Sequence, residues 1–261
     1  ILQWYSLNKR DLPWRRTSDP YKIWLSEVML QQTKVETVIP YYQKWINHYP
    51  TIKSVALENI DNLLKIWEGL GYYSRCRNFH EAIKDIFYNH KGVIPKQIED
   101  FKSLKGVGVY ISGAVMSIAF NQTHIAVDGN HLRIIGRVLG IKNQTSRNLK
   151  RINNYLTKLV TEGNPGEINQ ALMDMGSNIC KSNKVICVNC PFHFSCKAFL
   201  SGHPLSYPKK NRPKTIPTKT IAAALVNHGD NIFISKRPLK GLLGGLWELP
   251  NIELINGELP E

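Results

Sequence analysis

Residues 104–114 read LKGVGVYISGA, a glycine turn that runs without pause into small, helix-forming residues. Two glycines around one valine cannot serve to fill a core, so Gly106-Val107-Gly108 has another use. A tight glycine turn between two helices points successive backbone N–H groups outward, beside the positive end of the following helix, which makes a site for phosphate oxygens. Such contacts hold a nucleic acid without reading its sequence. Alone the turn is weak evidence, because an ordinary interhelical turn looks the same. Its weight comes from what surrounds it.

A helix from Val109 to Phe120 would advance roughly 16–18 Å, and the extended NQTHIAV after it could return by ~23 Å, which brings Asp128 beside Tyr110. Asp128 precedes Gly129, Asn130 and a helical pattern, so by itself it reads as a helix N-cap. Beside a DNA-binding turn it gains a second reading: an ionised carboxylate there suits a reaction with cationic character at a sugar carbon. Glu27 lies in a helix with Ile23, Trp24, Leu30 and Gln31 three and four residues away. Three of those four are apolar, and burial among them favours the neutral acid, the form that can donate a proton.

The composition agrees with a polyanionic partner. The formal net charge is +14, with 26 basic against 15 acidic residues in 1–207, five against none in 208–220 and three against five in 221–261. The 261 residues suffice for two compact domains. The longest apolar-leaning run, YISGAVMSIAF, is too short to cross a bilayer, and ILQWYSLNKR does not read as a secretory signal. The chain starts at Ile1 without a methionine, so a short preceding piece is expected. Four of five cysteines crowd into residues 180–196: Cys180, Cys187, Cys190 and Cys196, with six, two and five residues between them. That spacing lets four thiolates converge on one metal centre. Zinc would take a closed tetrahedral set, but zinc ribbons pair two Cys-x-x-Cys knuckles and only one is here. A four-iron, four-sulfide cubane also takes four thiolates, and the wider loop with Pro191 after Cys190 favours it. Cys76 reads as a lone reduced thiol, and reduced cysteines imply an intracellular protein, cytoplasmic or nucleoid-associated.

Residues 1–200 read as mainly helical. Asp19 and Pro20 open the first long helix, Pro40 marks a break, and further helices are expected at 60–68, 74–90, 98–103, 109–120, 131–139, 147–162 and 166–180. Residues 208–220, PKKNRPKTIPTKT, read as an extended basic linker. IAAALVNHGDNIFISKRP then looks like two strands joined at His228-Gly229-Asp230-Asn231, the start of a truncated β-rich domain.

LPWR at 12–15, SEVMLQQT at 26–33, EGLGYYSRCRN at 68–78, LKGVGVY at 104–110, VDGN at 127–130 and the four-cysteine loop together resemble the MutY adenine DNA glycosylases. The match is collinear across nearly all of 1–200. It implies a mainly α, two-domain helix-hairpin-helix glycosylase fold: a helical domain over 12–123 carrying the hairpin, a second helical domain of 1–11 and 124–207 with a 4Fe-4S cluster loop, the linker 208–220, and a partial MutT-like segment over 221–261. It implies a monomeric enzyme that removes adenine mispaired with 8-oxoguanine or guanine in double-stranded DNA. Glu27 would be the general acid at adenine N7, Asp128 would stabilise or trap the oxocarbenium-like sugar, and Tyr110 would help arrange them. Gln31, Gln32, Thr33, Tyr72, Asn130 and the hairpin Gly106, Val107 and Gly108 would face DNA, with Trp14 and Arg15 at the edge of the adenine pocket. A Nudix hydrolase reading of GLWELP fails because the acidic Glu-Glu metal motif does not follow. Two rivals stand beside the glycosylase. An endonuclease III-type lyase would need a lysine where Tyr110 stands. A non-catalytic cluster-bearing DNA-binding module leaves Glu27 unexplained.

Overall fold

The helix that carries Glu27 is apolar on every side, which is the pattern of a helix surrounded by others rather than laid on a surface. It runs over Pro20–Leu30, and the seven residues from Ile23 to Met29 are all buried. The Asp19 carboxylate caps it by accepting the Tyr21 N–H at 2.9 Å, with Pro20 at its first position. In this computed structural model, residues 1–209, 217–239, 241 and 243–254 are described. In chain order the helices are α1 (Leu2–Asn8), α2 (Pro20–Leu30), α3 (Val35–His48), α4 (Ile52–Ala56), α5 (Ile60–Trp67), α6 (Ser74–Asn89), α7 (Ile98–Ser103), α8 (Val109–Phe120), α9 (Gly129–Val138), α10 (Ser146–Thr161), α11 (Pro165–Asn178) and α12 (Lys197–Leu200). The fold is mainly helical. Among the described residues no helix is long and apolar enough to cross a membrane.

By contact the chain divides into two units, Ile1–Gly71 with Arg75–Lys210 and Tyr72–Ser74 with Asn211–Glu261. The first holds two cores. One is aromatic: Trp24 meets Phe79 edge-on at 4.7 Å and Phe101 at 5.1 Å, while Trp45 lies 5.7 Å from Trp67 and donates its indole N–H to Tyr21. The other is aliphatic, built from Ile134, Ile135, Ile152, Leu156, Leu172 and Met175 on α9, α10 and α11. α8 packs against both α2 and α11. The return from α8 to α9 is fixed by close approach: a Cβ on Gly113 would stand 2.1 Å from the Ile125 carbonyl oxygen. Asn169 of α11 secures the same segment, accepting from Ala126 N–H at 3.1 Å and donating to the Ser117 hydroxyl and the His124 carbonyl at 2.9 Å. These contacts bring Asp128 back to the start of α8.

Pro40 does not break its helix. α3 runs through it, and the break falls earlier, at Gln31–Lys34, where Gln32 takes a left-handed φ of 57°. A proline near a helix start removes one N–H bond, whereas a left-handed residue reverses the path of the chain. α1, α4 and α12 went unpredicted; α4 is a single short turn closed by a Thr51–Ser54 capping box. In the second unit, the described residues form three antiparallel pairs: Ile221–Ala223 with Asn251–Glu253, Asn227–His228 with Asn231–Ile232, and Ser235–Lys236 with Trp247–Glu248. The turn expected at 228–231 is present, but the strands beside it are only two residues each. Positions 210–216 of the expected linker and 255–261 of the β-rich segment lie outside the described residues.

Candidate active site

Glu27, Tyr110 and Asp128 meet across α2, the first turn of α8 and the N-cap of α9. Glu27 is 4% exposed, and its Oε2 accepts the Tyr110 hydroxyl at 2.7 Å. Burial pushes its carboxyl up to about 7; the Tyr110 hydrogen bond and the Arg15 charge oppose the shift, and Asp128 adds to it. Burial and the nearby Glu27 likewise push the Tyr110 phenol well above its ordinary range, so it remains a donor. For Asp128 burial pulls upward too, but the His131 ring and backbone N–H and the Asn130 amide outweigh it and hold the carboxyl below its usual value. Asp128 Oδ1 accepts His131 N–H at 2.9 Å and lies 2.6 Å from the His131 ring Nδ1, while Oδ2 accepts the Asn130 amide at 2.7 Å. The cap reading and the site reading of Asp128 thus describe one geometry. Two carboxyl groups are driven apart in pKa by their surroundings, one toward the acid and one toward the anion, which is the pattern of a general acid paired with an electrostatic stabiliser.

A cavity of about 310 Å³ opens in front of this group, lined by Tyr110, Asp128, Thr33 and Asn130. Behind it a recess of about 40 Å³ is lined by Glu27, Trp14, Arg15 and Ser26, and Arg10, Leu30, Val35 and Met173 line both. The recess is a small fraction of the cavity's volume, so it admits the edge of a ligand rather than its bulk.

Some predicted residues take other duties. The Val107 N–H turns inward to the Leu104 carbonyl at 3.1 Å and its side chain is buried, so only the glycines of the hairpin are exposed. Asn130 lines the cavity with both ends of its amide engaged, donating to Asp128 and accepting Arg133 Nη2 at 2.7 Å, so it orients the aspartate. Arg15 lines the recess, but its guanidinium forks onto Asp174 at 2.6 and 3.0 Å. Trp14 is buried edge-on against Tyr42 at 5.3 Å. Gln32 and Tyr72 are exposed, with left-handed φ of 57° and 49°; Gln31 caps α2, and the Thr33 hydroxyl accepts from Arg75 at 3.2 Å.

Four supporting residues escaped the sequence reading. Asp174, wholly buried, binds Arg10 and Arg15 together. Its neighbours one helical turn away, Gln170, Ala171, Ser177 and Asn178, are mostly polar, so the apolar setting that marks Glu27 is missing there. His131 stands three residues from Asp128, within reach of a local reading, whereas Arg133 and Arg75 give no signal because most of their acceptors are main-chain carbonyls.

The cysteine loop follows α11. All four thiols are unbridged; burial is the first cause that raises Cys187 and Cys190, the latter to about 11, and Cys180 and Cys196 add to both. As they stand, the described residues include no group of three or more His, Cys, Asp or Glu that could hold a single metal ion. Arg137 Nη1 lies 3.1 Å from Cys180 Sγ, and Arg133 Nε donates to the Cys180 carbonyl at 2.9 Å while its Nη2 holds Asn130.

The sequence pattern of the HhH-GPD superfamily of base excision DNA repair proteins matches residues 25–160, from just before Glu27 to beyond Asp128. The chain belongs to that superfamily. Among its curated HhH-GPD relatives, an adenine DNA glycosylase of Buchnera aphidicola subsp. Acyrthosiphon pisum is 36% identical over 90% of this chain and 68% of its own. One of Arabidopsis thaliana is 35% identical over 97% of this chain and 47% of its own. The chain therefore spans about half to two thirds of the length of these relatives. Among solved HhH-GPD structures, a thermostable thymine-DNA glycosylase superposes with a TM-score of 0.70 at 27% identity, covering 77% of this chain and 93% of its own.

Proposed function

We propose that this chain is a monofunctional DNA glycosylase that hydrolyses the N-glycosyl bond of adenine mispaired with 8-oxoguanine or guanine. The observation that carries the reading is the buried Glu27 carboxyl, protonated up to about pH 7, beside a cavity that also holds an ionised Asp128. The relatives named adenine DNA glycosylase supply the base.

The target nucleotide leaves the stack and enters the cavity. Exposed Gly106 and Gly108 at the start of α8 suit a phosphate, and Gln32 and Tyr72 suit contacts with the opened duplex. Tyr110 holds Glu27 Oε2, which leaves Oε1 to carry the proton to adenine N7. As the bond from C1′ to the base breaks, its electron pair goes to the protonated adenine. Positive charge spreads over C1′ and the ring oxygen, where the Asp128 carboxylate stabilises it; water then adds at C1′ and gives up a proton, which makes good the one Glu27 passed to the base. Asn130 and His131 hold that carboxylate in orientation. Tyr110 carries no amine and forms no imine, so the reaction stops at the abasic sugar.

Cys180, Cys187, Cys190 and Cys196 would hold a 4Fe-4S cluster. Four reduced thiols on one loop fit its donor set, and Arg137 and Arg133 against Cys180 offset the charge of four thiolates. When bound, the cluster supplies a cross-link for the loop, and the protein belongs in a reducing compartment that contains DNA. Purified protein should carry iron and acid-labile sulfide and absorb near ~400 nm. Stoichiometric zinc without colour would overturn the assignment. The segment from Ile221 we read as the start of a MutT-like domain.

The functional test is a duplex containing adenine opposite 8-oxoguanine or guanine, sampled with and without alkali. Free adenine should appear while the strand stays whole until alkali is added. Strand breaks without alkali, with borohydride-trapped adduct, would replace this reading with an endonuclease III-type lyase. Binding without base release would leave a DNA-binding module.

A further inference from the structure

Arg75 is 9% exposed at the start of α6, and its guanidinium reaches two separate turns. Nη1 donates to the carbonyls of Val28 at 3.0 Å, Met29 at 2.8 Å and Gln31. Nη2 donates to the Thr33 hydroxyl at 3.2 Å and to the carbonyls of Leu70 at 3.4 Å and Gly71 at 3.1 Å. The guanidinium carbon lies 5.5 Å from the ring centroid of Trp67, whose own N–H meets the Gly71 carbonyl at 3.0 Å. The carbonyls of Gln31 and Gly71 belong to the peptide bonds that lead into Gln32 and Tyr72. Both of those residues are left-handed, at φ 57° and 49°, a conformation shared among the described non-glycine residues by Lys91, Asn121 and Leu243. Residues with a Cβ pay for that backbone and keep it only where their surroundings over-determine it. Here one planar cation fixes the entering peptide of both.

We propose that Arg75 is a positioning residue for the DNA-facing turns: it holds the peptides entering Gln32 and Tyr72, so that both residues meet the duplex already in their bound backbone conformation. The inference rests on the reading of Gln32 and Tyr72 as DNA contacts. Turns that must be ordered during association weaken binding, whereas turns ordered beforehand do not. A lysine keeps the charge of Arg75 but lacks the fork that spans two turns.

The test is Arg75→Lys in the full chain. Affinity for a duplex with adenine opposite 8-oxoguanine should fall ~10-fold, and the excision rate at saturating enzyme by less than ~3-fold. Amide hydrogen exchange should quicken in residues 28–33 and 69–73 while the α9–α11 core keeps its protection. In a Gln32→Ala, Tyr72→Ala background the same substitution should weaken binding less than ~3-fold further, because the losses share one cause. A full loss in that background, unchanged exchange in the two turns, or faster exchange throughout the helical unit would each overturn the proposal. If the unsubstituted protein releases no adenine, the functional reading fails, and the exchange measurement still decides whether Arg75 fixes the turns.

Discussion

At Glu27 burial sets the carboxyl near 7 against an ordinary 4.5. Between those values the folded protein binds a proton that the unfolded chain does not, so stability falls as pH rises through this window and stays lower above it. The loss amounts to about 3 kcal/mol by about pH 8. Glu27→Gln abolishes the titration, so thermal melts should show the variant gaining on the unsubstituted protein between about pH 5 and pH 8. An unchanged gap would mean that the carboxyl is not held neutral. Excision by the same variant should drop on the order of 10²-fold while mispair binding survives. Tyr110→Phe acts in another direction: the lost hydrogen bond had favoured the ionised acid, so the high-pH limb of the excision profile should move upward, on a lower maximum rate. A limb that stays in place would separate Tyr110 from the titration of Glu27.

At the level of elements, the hairpin carries two glycines for different reasons. Gly106 has φ 77°, and a Cβ there would stand 2.8 Å from that of Asn78. Gly108 has φ −93°, and among the described residues nothing beyond its own stretch of chain lies within 4 Å of a Cβ built on it. Gly106→Ala should therefore cost roughly 1–3 kcal/mol in thermal unfolding. Gly108→Ala should stay within ~0.5 kcal/mol yet weaken duplex binding. Equal stability losses would remove the distinction. The sequence showed that both glycines mattered but not why, since backbone angle and neighbours come from the packing of α6 against the turn. Glu27 and Asp128 were legible because their reasons are local: apolar residues one turn away, and a cap before a helix. Arg75 was not legible, as its partners are carbonyls, and every residue has one. Pro40 misled because the reversal at Gln32 has no glycine to announce it.

Across the whole molecule the +14 charge gives the surface its preference for a polyanion, while the interior charges do the opposite work of fixing shape. Asp174 is the clearest of these. It lies fully buried in α11 and binds Arg10 and Arg15, which line the recess with Glu27. The wall of the recess thus comes from Arg10 and Arg15 and is locked by a residue more than 150 positions further along the chain. Until α11 has emerged, Arg10 and Arg15 lack their shared anion, and the helix that returns Asp128 lacks its support from Asn169. A chain that ends before α11 can display the hairpin glycines but holds no finished recess, so on the proposed function it would lack the wall that receives the base.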